Sequence, residues 1–342
     1  MPTPLDILRD RLGEEWPAIY RAREVSEGQK CEVRSWLDNL DPADTSIVVF
    51  GSLARQEWTS GSDLDWTLLV DGEADPQHLQ AAQRIGQTLQ ERVRGPGPTG
   101  LFGNMAFSHD IIHRIGGQDD TNRNITQRIL LLVESWPAGK AEAYHRVIRH
   151  VLKRYVDDDW GLRHGSGPHR VPRFLLNDLV RYWRTVTVDF VYKQRERAGR
   201  GWALRNAKLR MSRKLIFAAG LLTCFSCDEP HLRQVQPDGI VGYLEASFGN
   251  TPLDVVADAF LRYGRTDHTA RQLVGAYDSF LALLDNAEKR KHLEELQQHE
   301  LDSDPVFGEV RTQGRRFQEA LTRLFFQEDQ KLGTLTMEYG VF

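Results

Sequence analysis

Two aspartates, Asp63 and Asp65, stand one residue apart at the head of an apolar run, Trp66 to Val70. Side chains along a strand alternate faces, so the two carboxylates point the same way and Leu64 points the other. Neighbouring carboxylates repel unless a cation lies between them. Mg2+ takes oxygen ligands and is commonly held by one or two carboxylates together with substrate phosphates. Ten residues separate Asp63 from Ser52, where the apolar stretch 46–50 breaks at Gly51-Ser52. Gly51 leaves room for close approach of backbone to a phosphate. Ser52 adds a hydroxyl, and the N–H groups of a following helix start favour anions. These residue types at this spacing predict metal-assisted chemistry on a phosphate-bearing substrate.

The elements that must position these residues follow from pattern. Apolar positions at helical spacing (Leu5, Leu8, Leu12, then Trp16, Ile19) predict two leading helices. Asp41-Pro42 breaks the chain before a first strand at 46–50, and a second strand covers 64–70. A helix is predicted over 76–93, then a loop at 95–100 read as a connector, then a strand-like piece within 101–115. Thr121-Asn122 predicts a helix start, and Trp136-Pro137 its close. Beyond 139 period-two alternation gives out, which predicts an all-helical remainder. The expected organisation is α+β: a small mixed-sheet catalytic domain with leading helices over 1–138, then a helical nucleotide- or substrate-binding domain over 139–342.

Gly51-Ser52 joined to Asp63-Leu64-Asp65, with Arg55 and Ser62 between, resembles the signature of the polymerase β nucleotidyltransferase superfamily. The resemblance implies a nucleoside triphosphate substrate, Mg2+ or Mn2+ on Asp63 and Asp65, and nucleotide contacts from Gly51, Ser52, Arg55 and Ser62. It also implies a third carboxylate from a later strand. Asp110 is the first candidate, with Asp119, Asp120, Glu91 and Glu134 as competitors. A looser likeness covers 173–222, which resembles the helical substrate-binding region of bacterial relatives of the protein uridylyltransferases. It suggests Arg205 and Lys208 near the phosphates.

Composition bounds the rest. Charged residues at 27% and a net charge of −4 fit a globular chain with no overall pull toward nucleic acid. The N-terminal residues lack a basic and apolar leader, and the longest apolar run, 215–225, is too short to cross a bilayer. Three cysteines fit a reducing cytoplasm. The pair Cys224 and Cys227 reads as two ordinary thiols. His164 and His169 read as solvated loop residues. Basic charge is local: Arg173, Asn177, Arg181 and Arg184 share one helical face. Between 193 and 214 nine basic residues face a single acid, Glu196. Cations of this kind suit the far side of a triphosphate.

The expected activity is transfer of a nucleoside monophosphate from an NTP or dNTP to an acceptor hydroxyl, with pyrophosphate released. The acceptor is open: a protein, a small molecule or an oligonucleotide. One alternative is a template-free synthase of an oligonucleotide or cyclic signal in bacterial antiphage defence. Another is a non-catalytic nucleotide-binding member of a two-protein defence or toxin–antitoxin pair. No membrane insertion is expected.

Overall fold

The computed structural model describes residues 1–97, 100–164, 168–196 and 199–341. Parts of three expectations therefore lie outside the described residues: the loop at 95–100, the polar loop that holds the two histidines, and the basic stretch after 193.

The chain divides into two compact units, interleaved in sequence. One comprises Ala22–Ser166 and Gln234–Thr251. The other comprises Met1–Arg21, Gly167–Arg233 and Pro252–Phe342.

The first unit holds a four-stranded mixed sheet: β1 (Thr45–Phe50), β2 (Asp65–Val70), β3 (Asn104–Phe107) and β4 (Ser135–Pro137), in the order β3-β2-β1-β4. β1 is buried along its whole length, as expected of a continuous apolar run with a neighbour on each side. It pairs antiparallel with β2, Phe50 opposite Asp65, and antiparallel with β4, Phe50 opposite Ser135. β3 runs parallel to β2, with Thr67 opposite Asn104 and Val70 opposite Phe107. Ile47, Val49, Trp66 and Leu68 form the core with Val33, Leu37, Ile85 and Leu89 from the helices Pro17–Leu37 and Pro76–Gln90. Asp75 caps the latter helix by accepting from Gln77 N–H at 2.8 Å. Thr121 does the same for Asn122–Val133, where the sequence places a helix start. Trp136-Pro137 does not simply end that helix, however. It forms β4, a three-residue edge strand on which proline is tolerated.

The second unit is helical in every described residue that carries regular structure. Its centre is Lys214–Ser226, whose run 215–225 is buried almost throughout and packs between Arg173–Glu196 and Pro252–Tyr263. The apolar run is thus a core helix, and no helix among the described residues is long and apolar enough to cross a membrane. On Arg173–Glu196, Leu175, Leu176 and Leu179 are buried, while Arg173, Asn177, Arg181 and Arg184 are exposed on the other side. The thiols of Cys224 and Cys227 are buried and form no disulfide, and burial pushes Cys227 up to about 12, so it carries no thiolate at neutral pH. His169 departs from expectation. It is mostly buried, with Nδ1 3.1 Å from an Asp228 carboxylate oxygen.

Candidate active site

The break after β1 places Gly51 and Ser52 where the first strand meets the second. Gly51 has φ +74, a left-handed conformation that glycine adopts without strain. A Cβ built on Gly51 would lie 3.4 Å from Oδ2 of Asp65, so the glycine holds open the space beside that carboxylate. Asp65 opens β2 opposite Phe50, the residue before Gly51. Asp63 and Asp65 are both half-buried while Leu64 between them is fully buried, although β2 begins only at Asp65, so Asp63 and Leu64 lie in the segment that leads into the strand. Ser52 is also half-buried. The structure thus sets Gly51 beside Asp65, with Ser52 and Asp63 as their chain neighbours.

The segment after Gly51 is a series of turns, not a helix start. Arg55 N–H donates to the Gly51 carbonyl at 3.0 Å and Glu57 N–H to the Ser52 carbonyl at 2.7 Å, closing the loop on itself. No helix dipole therefore points at the proposed phosphate position from this segment.

Arg55 has a different setting from the one expected of a nucleotide contact. Its side chain is buried, with Nε 2.8 Å from Glu57 Oε2 and Nη1 paired to Glu134. Both carboxylates are themselves almost wholly buried. Charge-assisted hydrogen bonds of this kind fix the loop to the segment that leads into β4. Ser62 is likewise tied into its own turn: its hydroxyl accepts from Thr59 N–H at 3.0 Å. Arg55 and Ser62 shape the loop that carries Gly51, Ser52 and Asp63.

Asp110 is not brought to Asp65. It lies on the short helix Ser108–Ile112, which follows β3 directly, and pairs with Arg114 at 2.8 Å. β3 is parallel to β2 and ends level with Val70. Five residues of β2, roughly 17 Å at ~3.3 Å each, separate that end from Asp65. The competitors Asp119 and Asp120 fall in the turn before Asn122–Val133. Asp120 is buried and bidentate to Arg128, at 2.8 and 3.1 Å, and so serves the core. Glu134 does stand at the correct end, one residue before the Ser135–Phe50 pair, but Arg55 engages it. On β3 the position opposite Thr67, two residues on from Asp65 and on the same face, is Asn104, a neutral amide. Among the described residues no group of three or more Asp, Glu, His or Cys is arranged to hold a metal ion. Two carboxylates still suit Mg2+, which retains waters and completes its shell with substrate oxygens.

Arg205 and Lys208 lie on Trp202–Lys208 in the helical unit. The Arg205 guanidinium donates to the carbonyls of Gly201, at 3.3 Å, and Arg200, at 3.1 Å, and sits over the Phe190 ring. Those contacts brace the helix start.

Residues 30–94 match the family model of the nucleotidyltransferase domain. This segment is a nucleotidyltransferase domain of the polymerase β-like superfamily. It contains β1, β2, Gly51, Ser52, Asp63 and Asp65, and excludes Asp110, Arg205 and Lys208. The match supports nucleotidyl transfer in general and implies a nucleoside triphosphate as donor. No curated protein matches the chain at a significant level.

Proposed function

We propose that the chain moves a nucleoside monophosphate from an NTP or dNTP to an acceptor hydroxyl. The acceptor oxygen bonds to the α-phosphorus as the bond from that phosphorus to the bridging oxygen breaks, and pyrophosphate leaves. The observation that carries this reading is the close approach of Gly51, at the head of the Gly51-Ser52 turn, to Asp65 where the β1–β2 ladder ends. Asp63 and Asp65 would hold the divalent cation, which supplies neutralising charge to phosphate oxygens when bound. Gly51 leaves the phosphate room, Ser52 donates a hydroxyl hydrogen bond to it, and Arg55 with its two glutamates keeps the loop in place. Positioning and electrostatics supply most of the acceleration in phosphoryl transfer.

A second reading is favoured by one observation: among the described residues no third carboxylate joins the pair, and β3 offers Asn104 instead. A pair of this kind suits nucleotide binding without turnover, as in a partner of a two-protein defence or toxin–antitoxin system. The experiment is incubation of the purified protein with each labelled NTP and dNTP plus Mg2+ or Mn2+, beside an Asp63→Ala/Asp65→Ala double variant. Transfer in the wild type that the double variant lacks supports the first reading, and a ladder or cyclic product identifies an oligonucleotide synthase. Retained nucleotide binding with no product from any nucleotide supports the second. Transfer that survives the double variant would remove the metal-site assignment.

A further inference from the structure

We propose that the helical unit carries a small-molecule site of its own, for an apolar body that ends in one carboxylate. The site is a cavity of about 340 Å³ bordered by the helices Arg173–Glu196, Lys214–Ser226 and Pro305–Arg323 and by the C-terminal turns. This volume lies at the small end of ligand pockets and suits a bicyclic aromatic acid or a medium-length fatty acid.

One wall is aromatic. Trp183 and Phe217 stack with centroids 5.3 Å apart and planes 13° from parallel. Leu221, Leu321 and Phe325 extend the apolar lining. Among the described residues Lys214 is the only charged side chain that borders the cavity, and its ammonium donates to the neutral amide oxygen of Gln318. Burial, and then the nearby Arg210 charge, lower the Lys214 pKa from its ordinary value. An amine set among apolar groups, beside a like charge and with no carboxylate among the described lining residues, is complementary to an anion. One amine answers one acidic group, whereas a triphosphate calls for several cations.

The backbone marks the same place. Two π-helical stretches line it, Leu324–Glu328 with Phe325 and Thr336–Val341 with Thr336, and a third, Leu209–Arg213, ends one residue before Lys214. Such wide turns are rare and are frequent at functional sites.

The test is calorimetric titration of the full chain with 2-naphthoate, decanoate, neutral 2-naphthalenemethanol and AMP. The expected result is one-to-one binding of at least one of the two carboxylates, at least tenfold weaker for the neutral alcohol and for the Lys214→Gln variant. Gln318→Glu, at an exposed position, supplies the amine with an internal carboxylate. It should abolish binding without lowering the unfolding temperature. Absence of carboxylate binding, equal binding of the alcohol, tighter binding of AMP, or full binding by a folded Gln318→Glu variant would each overturn the proposal.

Discussion

Arg55 separates two kinds of importance that a sequence motif runs together. Placed between Gly51-Ser52 and Asp63, it reads as a phosphate contact, but its guanidinium is buried against Glu57 and Glu134. Replacing it with Met would leave two buried carboxylates without their cation. The expected loss of stability is about 3–5 kcal/mol by denaturant unfolding, and a variant of unchanged stability that binds nucleotide weakly would restore the phosphate role. Asp228 offers a pH prediction of the same grain. Burial favours its neutral form, but hydrogen bonds from Arg170 N–H and His169, with Lys331 close by, outweigh burial and hold its pKa below the ordinary value. Glu328 is held low in the same sense by Thr269, Thr266 and two backbone N–H groups, again against the effect of burial. A carboxylate whose pKa is depressed by folding stabilises the native state above its unfolded-state pKa. That contribution is lost as pH falls from the ordinary carboxylate range, about 4, through the lower folded value. Chemical unfolding from pH 6 down to 2 should show this acid loss, and Asp228→Asn should be less stable near neutrality with a shallower acid slope.

At the scale of the element, strand direction decides which acids can work together. Asp110 meets several requirements of a linear reading: it is a carboxylate, flanked by apolar residues, in a strand-like piece, though not inside an unmistakable strand. The parallel pairing of β3 with β2 carries it to the wrong end of the sheet. Asp110→Asn should therefore leave nucleotide binding and any transfer rate within about twofold of wild type. A loss of two orders of magnitude, with folding intact, would mean that Asp110 reaches the reacting groups. Gly51 makes the opposite prediction. Its left-handed backbone and the 3.4 Å approach to Asp65 make Gly51→Ala costly on two counts. The expected effects are about 1 kcal/mol of lost stability and weaker nucleotide binding, both measurable by thermal shift with and without nucleotide. Both strands of the pair were legible from composition, since each is an apolar run closed by Gly or an acidic turn. β4 was not: three residues ending in proline carry no period, and only pairing with β1 reveals them as a strand.

At the scale of the molecule, the chain does not divide at one point. A cut after residue 138 matches the change from mixed patterning to helical patterning. The compact unit that contains the sheet, however, runs on to Ser166 and takes in Gln234–Thr251 as well. The helix Glu142–Asp158 packs against β1 and buries Val147, Val151, Leu152 and Tyr155, and Pro237–Phe248 packs on that helix. A fragment ending at 138 would expose this apolar face of the sheet. It is expected to aggregate or to lack a cooperative thermal transition by circular dichroism, and a sharply melting fragment would show that the sheet unit ends where the patterning does.

What the sequence determined by itself is local and chemical. The burial of Leu64 between two half-buried carboxylates, the glycine at the strand break and the cap at Thr121 depend on neighbours a few residues away, and backbone sterics and side-chain chemistry settle such features without help from the rest of the chain. What only the tertiary structure decided is long-range. The separation of Asp110 from Asp65, the claim of Arg55 by Glu134 across 79 positions and the cavity beside Lys214 all depend on which segments pair and pack. No one-dimensional period encodes that choice, because burial of apolar surface rewards any register that keeps the same face inward.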